Sequence, residues 1–141
     1  MSFQFFKEDV ELPELNFEEI VRILKGELRI HKVLLGSINY IFCSDNYLLN
    51  LNIKFLKHDY FTDVITFDYS IGRVVAGDIF ISIDRVMNNS VIYKQDYSDE
   101  LIRVISHGLL HLLKYNDKEE EEIKMMRQKE SQLLKKIKFN I

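Results

Sequence analysis

The sequence contains little of what secreted and membrane-inserted proteins need. It has a single cysteine, Cys43, which cannot form an internal disulfide. Its start does not combine a positively charged segment with an apolar one, as a secretion signal would. No apolar run approaches the roughly 20 residues that span a bilayer. We therefore expect a soluble, cytoplasmic protein with no membrane partner.

Basic residues are also in short supply. The 19 lysines and arginines are outnumbered by 22 acidic residues, which gives a formal net charge of −3. Non-specific binding of nucleic acid usually requires a basic field over a whole face of the protein. Any contact with a nucleic acid must therefore be local.

The chain has only one proline, Pro13, and it contains no internal repeat and no linker rich in proline, glycine or serine. With 141 residues, 47% of them hydrophobic, it is long enough to bury a core without disulfides. These features predict one domain over residues 1–141.

Hydrophobic periodicity predicts alternating strands and helices. Strands are expected at residues 2–6, 38–42, 64–69 and 75–81, the last two joined as a hairpin around Gly72. A first helix should follow an N-cap at Asn16, and further helices are expected at residues 45–52, 84–93, 99–115 and 119–138. The prediction is an α+β fold in which helices pack against a small mixed sheet.

The helix predicted at residues 99–115 is apolar around nearly its whole circumference, which is typical of a helix buried at the centre of a domain. Ser98 is its expected N-cap. The last predicted helix is amphipathic instead. Its expected buried stripe consists of Ile123, Met126, Leu133 and Ile137.

Two histidines on the central helix, His107 and His111, are four residues apart, so both imidazoles project from one face and can converge on one ion. A pair with this spacing can also be two core histidines bonded to backbone or carboxylate groups. Gly108 is costly inside a helix, which indicates a close approach by substrate or another backbone. Asp117 follows the helix end, where the chain can fold back. Two imidazoles and one carboxylate would leave a fourth position for water, as in catalytic zinc sites.

The general base of such a site is not evident from the sequence. Gly108 stands where the HExxH pattern of zinc peptidases has its glutamate, which disfavours peptidase chemistry. The base is therefore the metal-bound water itself or a carboxylate from elsewhere. Asp63 and Asp78, at the starts of predicted strands, are candidates, and capping of backbone amides is the alternative role for both.

The segment from His107 to Asp117 reads H-G-L-L-H-L-L-K-Y-N-D. It resembles the H-G-x-L-H-L-x-G-Y-D-H signature of the YbeY family of bacterial endoribonucleases and rRNA maturation factors. The stretches T-D-V-I-T-F at residues 62–67 and G-D-I-F-I-S at residues 77–82 are similar to that family as well.

The resemblance implies a single-strand-specific, metal-dependent endoribonuclease that acts in 16S rRNA 3′-end maturation and ribosome quality control. Its implied partners are single-stranded RNA, 16S rRNA and the ribosome or its proteins. It also implies one Zn²⁺ per chain, or another divalent transition metal, with His107, His111 and Asp117 as ligands.

Two of the departures from the family signature in this segment bear on the metal site and on the end of the helix. Asp117 stands where the family has a third histidine; aspartate is an ordinary zinc ligand, although its charge leaves the choice of metal open. Lys114 replaces a glycine, so we expect another residue, such as Asn116, to take the left-handed conformation that ends the helix.

Another departure from the family pattern concerns RNA binding. The family's tyrosine–arginine pair, whose arginine is expected to meet a phosphate, is replaced here by Phe55 and Leu56. Lys54, Lys57 and His58 are candidates for the missing charge, with simple surface exposure as the alternative.

Nearby aromatic residues could stack on RNA bases, although we expect at least two of them to pack in the fold instead. They are Tyr60, Phe61, Phe67 and Tyr69. Two other functions stay open: a non-catalytic ribosome-assembly factor with a structural metal site, and a small-molecule metallohydrolase.

Overall fold

A computed structural model describes residues 1–139 of the chain, so residues 140 and 141 of the expected domain lie outside the described residues. The elements, in chain order, are β1 (Ser2–Lys7), α1 (Phe17–Ile30), β2 (Leu34–Cys43), α2 (Asp45–Leu51), β3 (Val64–Asp68), β4 (Val74–Ser82), α3 (Ile83–Ile92), α4 (Tyr97–Leu112) and α5 (Glu120–Phe139). A short π-helical segment, Asn52–Leu56, continues α2. The predicted α+β class is confirmed.

The four strands form one mixed sheet in the order β1-β2-β4-β3. The first three strands of that order are parallel, and β3 pairs antiparallel with β4 through the predicted hairpin. Gly72 has a φ of 60° in the turn, a conformation that favours glycine. The sheet is therefore small and mixed, as expected.

One face of the sheet carries the main core, and α4 lies at its centre. Residues of β2 and β4 such as Ile38 and Ile79 pack there with Leu109 of α4 and Met126 of α5. The Tyr40 hydroxyl, fully buried, donates a hydrogen bond of 2.9 Å to the Ile105 carbonyl of α4. The expected buried central helix is confirmed.

The glycine of α4 has a packing role. A Cβ atom at Gly108 would lie 2.6 Å from Ile79 Cγ2, so α4 can rest directly on β4 only because this side chain is missing. The close neighbour is a side chain of the sheet, and not the substrate or second backbone that the sequence suggested.

The ends of α4 differ from the prediction. Its N-cap is Asp96 and not Ser98, because the Asp96 carboxylate accepts a hydrogen bond of 3.1 Å from the Asp99 amide. At the other end Lys114 itself, and not Asn116, is left-handed, with a φ of 74°. The Tyr115 amide then bonds the Leu110 carbonyl, which closes a Schellman-type end.

Helix α5 buries three of its four predicted stripe residues, whereas Ile123 is exposed. The charged residue Glu130 is buried in that stripe. No helix among residues 1–139 has the combined length and apolar character needed to cross a membrane.

Candidate metal centre

Three donor atoms meet where α4 ends and the chain turns back. The Nε2 atoms of His107 and His111 lie 2.9 Å apart. Asp117 Oδ2 lies 3.4 Å from the first and 3.5 Å from the second. Ligand atoms of a tetrahedral zinc ion with bonds of about 2.1 Å are roughly 3.4 Å apart. The three side chains therefore have the spacing to hold one ion.

In each histidine, the hydrogen bond at Nδ1 determines that Nε2 faces the point where the three donor atoms meet. His111 Nδ1 lies 3.1 Å from the Tyr115 carbonyl oxygen, and His107 Nδ1 lies 2.5 Å from Glu130 Oε2. A carbonyl or an ionised carboxylate can only accept, so both Nδ1 atoms carry the hydrogen and both neutral rings turn an Nε2 lone pair inward. Two lone pairs 2.9 Å apart repel each other unless a cation or a proton lies between them. The donor set therefore suits a metal ion.

A buried acid from α5 orients His107. Glu130 also accepts a hydrogen bond of 3.1 Å from Arg103, which in turn binds Glu100 through two bonds. Burial opposes ionisation of Glu130, but the hydrogen bonds from His107 and Arg103 outweigh it and hold the pKa of this carboxyl below its ordinary value. An ionised carboxylate behind a ligand histidine fixes the ring and makes it a stronger ligand. Sequence reasoning did not identify Glu130. The signal that could have found it is an acidic residue within the apolar stripe of the last predicted helix.

The second histidine is held in its neutral form. Burial lowers the pKa of His111, and the neighbouring His107 adds to this effect, while Asp117 acts in the opposite direction. Metal binding requires a neutral imidazole, because a protonated ring has no lone pair to donate. His111 is therefore ready to bind a metal at neutral pH.

The three donors open onto a cleft of about 410 Å³, whose other wall is the start and inner face of β3. Asp63 lies in this wall with its carboxylate 3.7 Å from Arg103 Nη2. Burial raises the pKa of Asp63, and the positive charge of Arg103 only partly offsets it. A carboxyl group with a raised pKa beside a cleft can exchange protons with a substrate.

The structure places Asp78 away from the cleft and not at the start of a strand, so the predicted position of this residue is wrong. Asp78 lies within β4, not at its start, and its carboxylate accepts a hydrogen bond of 3.0 Å from Asn39. Its neighbours Gly77 and Ile79 face α4. Because side chains alternate along a strand, Asp78 points to the opposite face of the sheet, away from the cleft.

Lys54, Lys57 and His58 are exposed and do not line the cleft. They belong to the π-helical segment and the loop after it, which leads to the cleft at residues 62 and 63. His58 stacks on Tyr60, with ring centroids 5.2 Å apart. The structure therefore does not bring these three residues together with the metal ligands.

The aromatic residues near the cleft are more exposed than expected. Phe67 packs edge-on against Phe80. Tyr60, Phe61 and Tyr69 are exposed. Phe61 nevertheless packs its ring against the Arg85 guanidinium, with Cζ 4.9 Å from the ring centroid, so Phe67 and Phe61 both have packing partners.

Comparison with known proteins gives consistent matches. Residues 3–138 match the family described as Endoribonuclease YbeY. Endoribonuclease YbeY of Cytophaga hutchinsonii is 48% identical over 136 residues, 96% of this chain and 95% of that protein. The protein of the same name from Parabacteroides distasonis is 40% identical over 134 residues, 95% of this chain and 94% of that protein. A solution structure of a Thermotoga maritima protein aligns with a TM-score of 0.61 at 26% identity, covering 96% of this chain and 88% of that one.

Proposed function

The chain belongs to the YbeY endoribonuclease family, and on that premise we propose that it cuts single-stranded RNA with one divalent metal ion held by His107, His111 and Asp117. The supporting observation is the convergence of three donor atoms, 2.9 to 3.5 Å apart, in the lining of an open cleft. Three protein ligands leave a coordination position open, as catalytic zinc sites do and structural ones do not. Zinc is the ion proposed.

When bound, such an ion polarises a phosphoryl oxygen and makes water more acidic. Asp63 then serves as proton acceptor. As the water oxygen bonds to phosphorus, its proton passes to the Asp63 carboxylate, and the same proton is returned to the ester oxygen whose bond to phosphorus breaks. The raised pKa of Asp63 suits both transfers, because a carboxylate that binds a proton more tightly than an ordinary one is a stronger base.

The biological substrate proposed is 16S rRNA, cut during maturation of its 3′ end and during quality control of ribosomes. The support for this is family membership, and the ribosome or its proteins are the partners that it suggests. We further propose that the chain acts as one domain, in the cytoplasm, where ribosomes are assembled.

Chelation and ligand removal test the function together. The purified protein should contain one metal ion per chain, cut a single-stranded RNA oligomer, lose activity with a chelator and regain it with added zinc. His107→Ala and His111→Ala should lose both metal and activity, because two remaining ligands compete poorly with water. His58→Ala is the matched control, because this exposed histidine lies outside the cleft, and it should keep its metal.

Two outcomes would contradict the proposal. Full metal occupancy in His107→Ala or His111→Ala would refute the assignment of the ligands. Metal-loaded wild-type protein that leaves RNA uncut would instead favour a non-catalytic assembly factor.

A further inference from the structure

Lys114 extends its side chain from the end of α4 to the opposite wall of the cleft. It follows His111 by three residues and precedes Asp117 by three. Its ammonium nitrogen lies 2.6 Å from Asp68 Oδ2, and Asp68 is one of the residues that line the cleft. The Lys114 side chain is nevertheless 71% exposed. A positive charge is therefore held against one wall of the cleft, in contact with solvent.

This charge matters because the cleft is acidic. Its lining includes the carboxylates of Asp63, Asp68 and Asp117, and none of its lining residues in the described part of the chain is a lysine or arginine. RNA carries one negative charge per phosphate, so it needs a cation here besides any metal ion. The cleft wall alone would repel the substrate that the family acts on.

Two cations contact the lining carboxylates, and they differ in availability. Arg103 lies 3.7 Å from Asp63, but its guanidinium already makes hydrogen bonds to Glu100 and Glu130. Among residues 1–139, Lys114 has one ion-pair partner, Asp68. An ammonium group has three donors, so two remain for a phosphate. Lys114 is the available cation of the two.

A second hydrogen bond holds the Asp68 carboxylate in place, so Asp68 can fix the position of the Lys114 ammonium group. Its second oxygen accepts a hydrogen bond of 2.9 Å from the Ser70 amide. The carboxylate therefore cannot follow the lysine freely, and it keeps the ammonium group beside this wall of the cleft.

We propose that Lys114 is a phosphate-binding residue of this endoribonuclease, at a position where the family signature has glycine. The inference rests on the proposed function, since it concerns RNA bound in the same cleft. Lys114 then supplies the cation that the sequence had suggested at Lys54, Lys57 or His58.

The chain offers matched controls for the test. Lys57 and Lys94 also have left-handed backbones, with φ of 57° and 55°, close to the 74° of Lys114. Substitution by glycine at each position removes one charge and relieves the same unfavourable conformation. All three variants should therefore fold, with unfolding midpoints at or above that of the wild type. Lys94 follows α3 and, among residues 1–139, does not form an ion pair with a residue that lines the cleft, whereas Lys114 does.

The experiment measures kcat/KM for a fluorogenic single-stranded RNA oligomer between 50 and 200 mM salt with each zinc-loaded protein. One phosphate contact contributes about 0.7 to the slope of log affinity against log salt for a single strand. Lys114→Gly should therefore have a higher KM than the wild type. Between 50 and 200 mM salt, the factor by which its kcat/KM falls should be about 2.6 times smaller than the factor for the wild type. Lys94→Gly should keep the wild-type slope, and Lys114→Arg should restore it.

Equal slopes in active Lys114→Gly and Lys94→Gly would overturn this inference while leaving the proposed function intact. A salt slope that changes in Lys57→Gly but not in Lys114→Gly would also overturn the inference. The phosphate contact would then lie in the loop that contains Lys57. A metal-loaded wild-type protein that does not cut RNA would overturn both.

Discussion

Substituting alanine for Gly108 should force α4 away from the sheet. The added Cβ atom would lie 2.6 Å from Ile79 Cγ2 and 3.1 Å from Ile79 Cδ1, whereas carbon atoms pack at about 3.5–4.0 Å. Ile79 is fully buried in β4, so its side chain cannot turn into solvent to relieve the contact. Overpacking of this kind costs about 1–3 kcal/mol.

Gly26→Ala is the matched control. Gly26 lies inside α1, and the nearest neighbour of a Cβ atom there would be Arg29 Nη2 at 3.8 Å, an ordinary contact. Both substitutions gain about 1 kcal/mol of helix propensity, so this gain cancels in the comparison. The free energy of unfolding of Gly26→Ala should therefore exceed that of Gly108→Ala by about 1–3 kcal/mol.

Urea unfolding followed by far-UV circular dichroism, in the presence of a chelator, measures this difference without a contribution from metal binding. Because His107 adjoins Gly108, the zinc affinity of Gly108→Ala should fall as well, while that of Gly26→Ala should not. Equal stability of the two variants would show that α4 does not rest on Ile79 as described.

Three further predictions concern the site. Glu130→Gln should weaken zinc affinity about 10- to 100-fold, because a neutral amide orients His107 less firmly. Competition with a chromophoric chelator measures this affinity, and an unchanged value would show that Glu130 does not support the metal site. Asp117→Ala should lose the metal and Asp117→His should keep it, as measured by elemental analysis; metal retained in Asp117→Ala would leave Asp117 as a cap for α5. Asp63 accepts a proton only when ionised, so wild-type activity should rise with pH through its raised pKa. Asp63→Asn should be slower than the wild type, and its activity should not show this rise with pH. A pH profile of Asp63→Asn that superimposes on the wild-type profile would exclude Asp63 as the base.

Local geometry explains which parts of the site could be predicted from the sequence. The convergence of His107 and His111 follows from the helical repeat alone, so spacing was sufficient. Asp117 was a candidate because it follows the helix end, where the chain can fold back, and the resemblance to a family signature supported it as the third ligand. Glu130 lies 23 residues beyond His107 and reaches it only because α5 packs on α4. No local pattern specifies such a contact.

The errors have similar causes. The predicted strand around Asp78 was right, but the residue lies inside β4, and the alternation of side chains puts it on the far face. Lys114 meets Asp68 across 46 residues, so its place at the cleft depends on the packing of α4 beside β3. The loop lysines were chosen for their nearness in sequence to the family's arginine, which does not establish that they reach the cleft.

Anomalous diffraction at the zinc edge, from crystals of the zinc-loaded protein, tests the proposed metal centre most directly. We expect one peak per chain, roughly 2.0–2.2 Å from Nε2 of His107, Nε2 of His111 and an Oδ atom of Asp117. The peak should be absent from His111→Ala crystals grown in the same way. A zinc peak at other residues, or no peak beside the two histidines of zinc-loaded wild-type protein, would contradict the account.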